Sequence, residues 1–588
     1  MNIKTRTCLQ KGVSRFTRVS ALGVSLGLAA CAAAKLLWET TYVSDNQAAQ
    51  YVTSVIVDIE GNRYVSGARQ TYWGEMGGES FAGFDPYISK TDGEGNLIWQ
   101  TLLPTSYERA SPRAGNISNS FTFSQMSDYS GGEEVVAVVQ VDQAIYALAQ
   151  VLGSNFNHSG TGDDSNLSNR DWDVKLYQLG LDGELIWERT LAQSTLKETP
   201  KTLKVSPNGG VLVLLERYVE RQVIISKVSS AGDIGWTKTI EGADSALGVS
   251  ESSILVSYGA ELSSDAIIAG GGYITSAIEL NLEGGVNWFY EAEIEQGGAV
   301  ESMAVQPRCS GDVGFKFDSK ANDVVNVNGN WLVASSNAGY VIACEYFGLF
   351  GSDQLAVFNR SGEVIASRVL RERAPRSEID EMAAAYTGPV GAVSWLKQYS
   401  TYSDHVRFVT DDESIYVVGN LSRVSYFDAS SYQFPIVFSD ILISKVTPDY
   451  QVEWTKKLHT TIAKTDNSVS VASQRIAGAK LLNGDLLLAS HVIKAEYNDL
   501  AEGMFGMPEV TGFYSRVHRF DIGGKRKTLA TLDSVLTRDL ALYNGEFTLA
   551  SDEALALGLN HQDSFVYSDY GLVSGAIDQP ASYLHNYE

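Results

Sequence analysis

The chain is expected to be an all-β protein, an eight-bladed β-propeller closed by a strand from its N-terminal end. Three observations predict this. A β-hairpin, most copies carrying a Trp after the turn, returns along the sequence. A second hairpin stands before each such return. The one strand missing at the C-terminal end has a counterpart near the N-terminal end.

The outer hairpins read "DPYISKTDGEGNLIWQTLL" (85–103), "DVKLYQLGLDGELIWERTL" (173–191), "QVIISKVSSAGDIGWTKTI" (222–240) and "YITSAIELNLEGGVNWFYEA" (273–292). Three more, "QLAVFNRSGEVIASRVL" (354–370), "ILISKVTPDYQVEWTKKL" (441–458) and "FYSRVHRFDIGGKRKTLATL" (513–532), complete the series. Each half alternates apolar and polar residues about a turn mostly rich in Gly, Asp and Ser, which is the pattern of paired strands. Inner hairpins such as "SVIVDIEGNRYVSGA" (54–68), "TLKVSPNGGVLVLLE" (202–216) and "LALYNGEFTLAS" (540–551) number eight along the chain. Four-stranded units repeated in this way are the blades of a propeller.

After the last inner hairpin, "DSFVYSDY" (563–570) supplies a third strand without a fourth, and "LLWETTYVS" (36–44) resembles the missing one. Pairing the two removes an exposed sheet edge. The propeller is therefore expected over 36–570, with 571–588 as a tail. The alternative is seven blades plus an appendage, because 300–370 is irregular and "GLVSGAI" can supply a strand of its own.

Six of the ten tryptophans, Trp38, Trp99, Trp187, Trp236, Trp288 and Trp454, occupy one repeat position on the outer strand. In four of these repeats a glycine stands four residues earlier: Gly95, Gly183, Gly232 and Gly284. Trp38 and Trp454 have Ala34 and Tyr450 there instead. Each ring is expected to pack over a neighbouring blade, with its indole N–H on a backbone partner. The Gly-x-x-x-Trp pattern resembles the tryptophan-docking motif of the quinoprotein-like propeller family, which implies a structural role for these tryptophans.

The first thirty residues carry Lys4, Arg6, Lys11, Arg15 and Arg18, no acid, and an apolar run from Val19 to Ala30. This describes an export signal (1–30), and the run is too short to span a bilayer. Leu28-Ala29-Ala30-Cys31 resembles a bacterial lipobox, which implies lipidation of Cys31 and, with Ala32 next, sorting to the outer membrane. Residues 31–35 are then a short tether. The formal net charge is −25; loss of the five basic residues of the signal would take it to about −30, a surface that repels nucleic acid. Cys309 and Cys344 remain, an even pair for which a disulfide is expected in an oxidising compartment.

The a–b and c–d turns are short throughout, whereas the long segments 69–84, 152–172, 421–440, 492–512 (b–c) and 104–134, 293–324, 371–405 (d–a) share one face. Loops that grow on one face of a repeat array mark a binding face. Three of them carry candidate partner-binding aromatics: Tyr72, Trp73, Phe81 and Phe84; Tyr426, Phe427, Tyr432 and Phe434; and Phe505. "RSEIDEMAAAY" is expected to add a short helix there. Asp163, Asp164, Asn166, Asn169 and Asp171 form an oxygen-rich loop, a weak Ca²⁺ candidate without the mid-loop Gly of an EF-hand. No other cofactor is expected.

No Walker loop, His-Glu-x-x-His or Cys-x-x-Cys occurs, and the one Gly-x-Ser-x-Gly, at 23–27, lies inside the signal. No catalytic residue is assigned. An acidic, lipid-anchored propeller of this kind resembles the propeller lipoproteins of the outer-membrane β-barrel assembly machine, non-catalytic scaffolds that dock partners through loops. The longer loops and minimal tether depart from that pattern, so the partner is not carried over. The expectation is a monomeric, membrane-anchored envelope scaffold that binds a protein. The alternatives are a surface lipoprotein binding a glycan or peptide and, behind it, an envelope hydrolase.

Overall fold

The computed structural model describes residues 4–5, 36–42, 50–76, 79–105, 133–152, 172–192, 198–217, 220–261, 273–291, 313–343, 346–372, 406–411, 413–429, 432–464, 468–497, 509–533, 535–553 and 570–576. Among the described residues every element is a β-strand and every pairing is antiparallel. Alternation of period two without helical periodicity dictates this, since each strand buries one side chain in two on either sheet face.

Seven sheets are each built from consecutive strands, spanning 50–102, 134–192, 198–241, 243–291, 313–372, 407–458 and 461–533; we number them blades 1 to 7. A last sheet, blade 8, takes Val535–Tyr543, Glu546–Glu553 and Tyr570–Ala576 from the C-terminal end. It is completed by Leu36–Tyr42, with Lys4–Thr5 paired outside that strand. Each sheet packs on the next and blade 8 packs on blade 1, so the sheets close a propeller ring.

The closing pair differs from the sequence expectation in one respect. Leu36–Tyr42 pairs with Tyr570–Ala576 rather than with 563–570, so the propeller runs past residue 570. The reason is apolar register: "YGLVSGA" sets Val573 opposite Leu549 and Leu572 opposite Ala550, both buried, whereas "DSFVYSDY" carries two Asp.

There is no single core. Eight buried apolar clusters lie one at each contact between neighbouring blades. The cluster between blades 1 and 2, for example, joins Tyr64 and Ile88 to Val135, Ile145, Ala147 and Leu179. Burying side chains of this size contributes about 1.5–3 kcal/mol each, so ring stability is spread over eight seams.

The tryptophans tie the outer halves of these seams. Trp99 of blade 1 donates its indole N–H to Leu181 O of blade 2 at 3.0 Å. Trp187 donates to Ser230 O (3.1 Å), Trp236 to Leu282 O (3.0 Å) and Trp454 to Ile522 O (3.1 Å), each on the following blade. Trp288 departs from this: its N–H has no partner among the described residues, and the ring stacks on Phe358 at 5.6 Å between centroids. The glycine has a second role beyond the turn. A Cβ at Gly183 would lie 2.6 Å from Trp99, one at Gly284 2.8 Å from Trp236 and one at Gly362 2.6 Å from Trp288. The glycine of each repeat therefore receives the tryptophan of the preceding one.

Between blades 5 and 6 the pair is exchanged. Ala366 stands where the Trp is expected, and Tyr450, at φ 62°, stands where the glycine is. Tyr450 packs back onto the cluster holding Ala366, and Asn330 Nδ2 donates to its hydroxyl at 2.7 Å. The large side chain comes from the opposite partner, and the seam stays filled.

Candidate functional site

Inner strands border the central channel, and they share a local irregularity. The register slips by an extra residue in blades 1, 2, 3, 5, 7 and 8, at Thr53, Val136, Lys201, Asn322, Ala477 and Arg538, and in blade 4 between Ala243 and Ala246. Such a β-bulge leaves one residue unpaired and re-aims its neighbours. The residue after the bulge can then reach the next blade. Asp539 accepts from Val55 N (2.9 Å) and Ser54 Oγ (3.0 Å), and Asp323 accepts from Phe408 N (2.8 Å).

The slips lie near the start of the inner strands of blades 1, 2, 3 and 8, toward the b–c and d–a connections, and further along the longer inner strands of blades 5 and 7. On the opposite face the a–b and c–d turns span two to five residues in all described cases. On the connection face, four blades carry on. Strands b and c are Arg63–Met76 and Glu79–Thr91 in blade 1, and Asn330–Ala343 and Tyr346–Phe358 in blade 5. They are Ile415–Ala429 and Tyr432–Val446 in blade 6, and Asp485–Tyr497 and Glu509–Phe520 in blade 7. The remaining blades use 7–9 residues for the same strands.

The segments 69–84 and 421–440 are therefore paired hairpin arms rather than loops, and much of 492–512 likewise continues strands. Residues 313–324, expected as part of a connection, extend the inner strand of blade 5. The physical cause is register: once the strands of a blade are paired, the residues that follow them can go on pairing in the same register. Six extra residues per strand reach roughly 20 Å beyond the blade.

These arms hold the aromatic candidates. In blade 1, Tyr72 is opposite Gly83, Trp73 opposite Ala82, Phe81 opposite Gly74 and Phe84 opposite Gln70. In blade 6, Tyr426 is opposite Pro435, Phe427 opposite Phe434 and Tyr432 opposite Ala429. The two groups rise from blades 1 and 6, separated around the ring by blades 7 and 8. Phe505, the helix expected at 376–386, Cys31, Cys309, Cys344 and the loop with Asp163, Asp164, Asn166, Asn169 and Asp171 lie outside the described residues. Among the described residues no group of three or more His, Cys, Asp or Glu could hold a metal ion.

A cavity of about 290 Å³ opens at the channel mouth on the arm-bearing face, lined by Tyr51, Val52, Thr53, Glu134 and Arg538. These residues come from the starts of the inner strands of blades 1, 2 and 8. Burial pushes the Glu134 carboxyl up, while a hydrogen bond from Tyr51 and the Arg538 charge pull it back. Thr53 Oγ1 donates to Val135 O at 2.6 Å and fixes the cavity floor between blades 1 and 2. Glu134 and Arg538 belong to blades 2 and 8, so their interaction passes over blade 1. Sequence reading did not single out Glu134 or Arg538. The available signal was charge placed at the start of inner hairpins otherwise rich in Val, Thr and Ala.

No protein-family model matches the chain, and no curated protein matches it. Among solved structures, it is similar to a polysaccharide lyase of family PL25, an ulvan lyase, at 11% identity and TM-score 0.32, covering 86% of this chain and 92% of that one. It is also similar to the AfRom2 CNH domain at 10% identity and TM-score 0.29, covering 75% and 95%. A DUF4221 member from Bacteroides vulgatus is similar at 11% identity and TM-score 0.26, covering 75% and 93%. Likenesses of this size carry no argument about what the chain does.

Proposed function

We propose that the chain is a non-catalytic propeller of the bacterial envelope that docks a partner protein through the arms around its channel mouth. One observation carries this reading: four blades extend paired strands on one face, while the described turns of the other face span two to five residues. Paired ribbons present side chains on a defined backbone, which lowers the ordering cost of binding relative to long irregular loops. Two of the arms bear the aromatics of 72–84 and 426–434, residue types enriched at the centres of interfaces. The reading includes lipidation at Cys31. Residues 31–35 reach roughly 17 Å when extended, and strand Leu36–Tyr42 then enters from the short-turn face, which would lie toward the membrane.

The test is site-specific photo-crosslinking in intact cells, with the crosslinker at Trp73 or Phe427 on the arms and at Asn208 or Glu283 on the turns. The reading expects a discrete protein adduct from the arm positions and none from the turns. Adducts only from Asn208 and Glu283, or none from either arm, would overturn it.

A further inference from the structure

The protein is strongly acidic, with formal net charge −25, yet the exposed charges of its described inner strands have the opposite sign. Among the described inner-strand residues, the charged ones exposed to solvent are Arg407, Arg475, Lys480 and Arg538. All four are basic. Arg407 opens the inner strand of blade 6, Arg475 lies midway along Val469–Leu482 of blade 7 and Arg538 is near the start of Val535–Tyr543 of blade 8, three consecutive blades. Lys480 sits toward the turn end.

The register places them near one level. Arg475 precedes its bulge by two residues, as Tyr51 and Glu134 precede theirs, and Arg538 is itself the bulged residue. Arg475 has no ion-pair partner among the described residues. By contrast, Lys201 is held by Glu216 at 3.0 Å, and the inner-strand acid Glu198 is held by Arg217 at 3.0 Å. Asp323 and Asp539 are engaged with backbone N–H groups. Burial pushes the Asp323 carboxyl of blade 5 up, and the charges of Lys204 on blade 3 and Arg407 on blade 6 are close enough to pull it back.

The mouth thus has a basic half and, on blades 1 and 2, a polar half of Tyr51, Thr53 and Glu134. Arginine suits a carboxylate or sulfate because its planar donors match the two oxygens of such a group. A bare inorganic anion gains nothing from Glu134 and is repelled when that carboxyl ionises. A ligand with hydroxyls next to its charge uses both halves, since a carboxylate accepts from sugar hydroxyls. The cavity of about 290 Å³ is small for a ligand site and suits one ring rather than a long segment.

We propose that the channel mouth binds an anionic sugar residue, its carboxylate or sulfate held by Arg475 and Arg538 with Arg407 adjoining, and its hydroxyls by Tyr51, Thr53 and Glu134. This site is separate from the arms and does not depend on their docking a protein.

The experiment is isothermal titration of the purified full chain with a galacturonate trisaccharide, a sulfated galactose trisaccharide, the neutral galactose trisaccharide and inorganic sulfate. Binding of either anionic trisaccharide supports the proposal, and the pair distinguishes uronate from sulfate ester. Arg475→Met and Arg538→Met, checked for native circular dichroism, should each weaken binding by about tenfold, the equivalent of one charge-assisted hydrogen bond. Shortening the 424–437 arm should leave binding intact, which separates this site from the protein-docking reading. Equal binding of the neutral sugar, equal binding of inorganic sulfate, unchanged affinity in both arginine variants, or no binding of either anionic sugar would overturn the proposal.

Discussion

Replacing Gly183 with alanine tests the seam between blades 1 and 2, and its effect can be worked out from the geometry. The backbone there has φ +87°, and a Cβ would meet three ring carbons of Trp99 at 2.6, 2.8 and 3.0 Å. The left-handed backbone alone costs an L-residue about 1–2 kcal/mol. Forcing a methyl into the indole adds about 1–3 kcal/mol of overpacking, so Gly183→Ala should cost about 2–4 kcal/mol. Gly209 is an internal control: its φ is +90°, and nothing lies within 4 Å of its added Cβ. Gly209→Ala should therefore cost only the backbone share, about 1–2 kcal/mol. Trp99→Ala removes a ring that packs on the cluster between the two blades and should cost about 2–4 kcal/mol, below the value for a fully buried aromatic. In that background the clash at Gly183 is gone, so the double-mutant cycle should show a coupling of about 1–3 kcal/mol. Guanidinium unfolding followed by far-ultraviolet circular dichroism measures all four variants, with calorimetry checking that one transition is observed. Equal losses for Gly183→Ala and Gly209→Ala, or additive effects in the cycle, would refute the docking role of the glycine.

Two further outcomes are expected. His518 is buried, and desolvation, with Arg526 and Arg516 adding to it, pushes its imidazole down to about 4 from an ordinary 6.5. Because the folded value is the lower one, the unfolded chain binds more protons between these limits. Stability is then intact above pH 6.5 and falls by about 3 kcal/mol as pH drops toward 4; His518→Gln should flatten that part of the pH–stability profile, and an unchanged slope would count against it. At the seam between blades 5 and 6, Tyr450→Gly should cost about 2–4 kcal/mol, and adding Ala366→Trp should restore at least half by rebuilding the usual pair. A double variant no more stable than Tyr450→Gly, read by the same denaturation, would show that the two arrangements are not equivalent.

The repeat was legible because its signal is local. Alternating strands, tight turns and a Trp at fixed spacing lie within twenty residues of one another, and Asp92, Asn281, Asn359 and Asp521 each accept backbone N–H groups within their own turns. The partner of each Trp was not legible, since the glycine that receives it belongs to the next blade. The spacing joined Gly183 to Trp187, whereas the contact joins Gly183 to Trp99. The arms were read as loops because 69–84 and 421–440 mix Gly, Ser, Asp and aromatics without clean alternation. Pairing them needed only a register inherited from the blade below. The last blade was misplaced for a related reason. "GLVSGA" is poor in bulky residues, and its fitness as a strand appears only when Val573 is set against Leu549. The charges on the inner strands gave no motif at all, because Arg407, Arg475 and Arg538 are far apart in sequence and come from three successive blades.

Ring closure and the channel mouth are connected through one local device. At the seam between blades 8 and 1, Arg63 is fully buried and donates to Thr548 Oγ1 (2.9 Å), Gly61 O (3.1 Å) and Asp92 O (3.0 Å). Tyr543 covers Gly61 and donates to Ile59 O at 2.9 Å. The third tie is Asp539 on Val55 N and Ser54 Oγ. Asp539 directly follows Arg538, and the bulge between Thr537 and Asp539 separates their directions, Arg538 to the mouth and Asp539 to the next blade. The same division occurs in blade 5, where Asn322 is bulged and Asp323 reaches Phe408 of blade 6. A regular strand would alternate its side chains between the two sheet faces and could not serve the axis and the seam from adjacent positions. The bulge therefore lets closure be satisfied by backbone-bound carboxylates while Arg538 lines the cavity. A change that removed the bulge in blade 8 would disturb the seam and the mouth together, whereas Arg538→Met should affect the mouth alone.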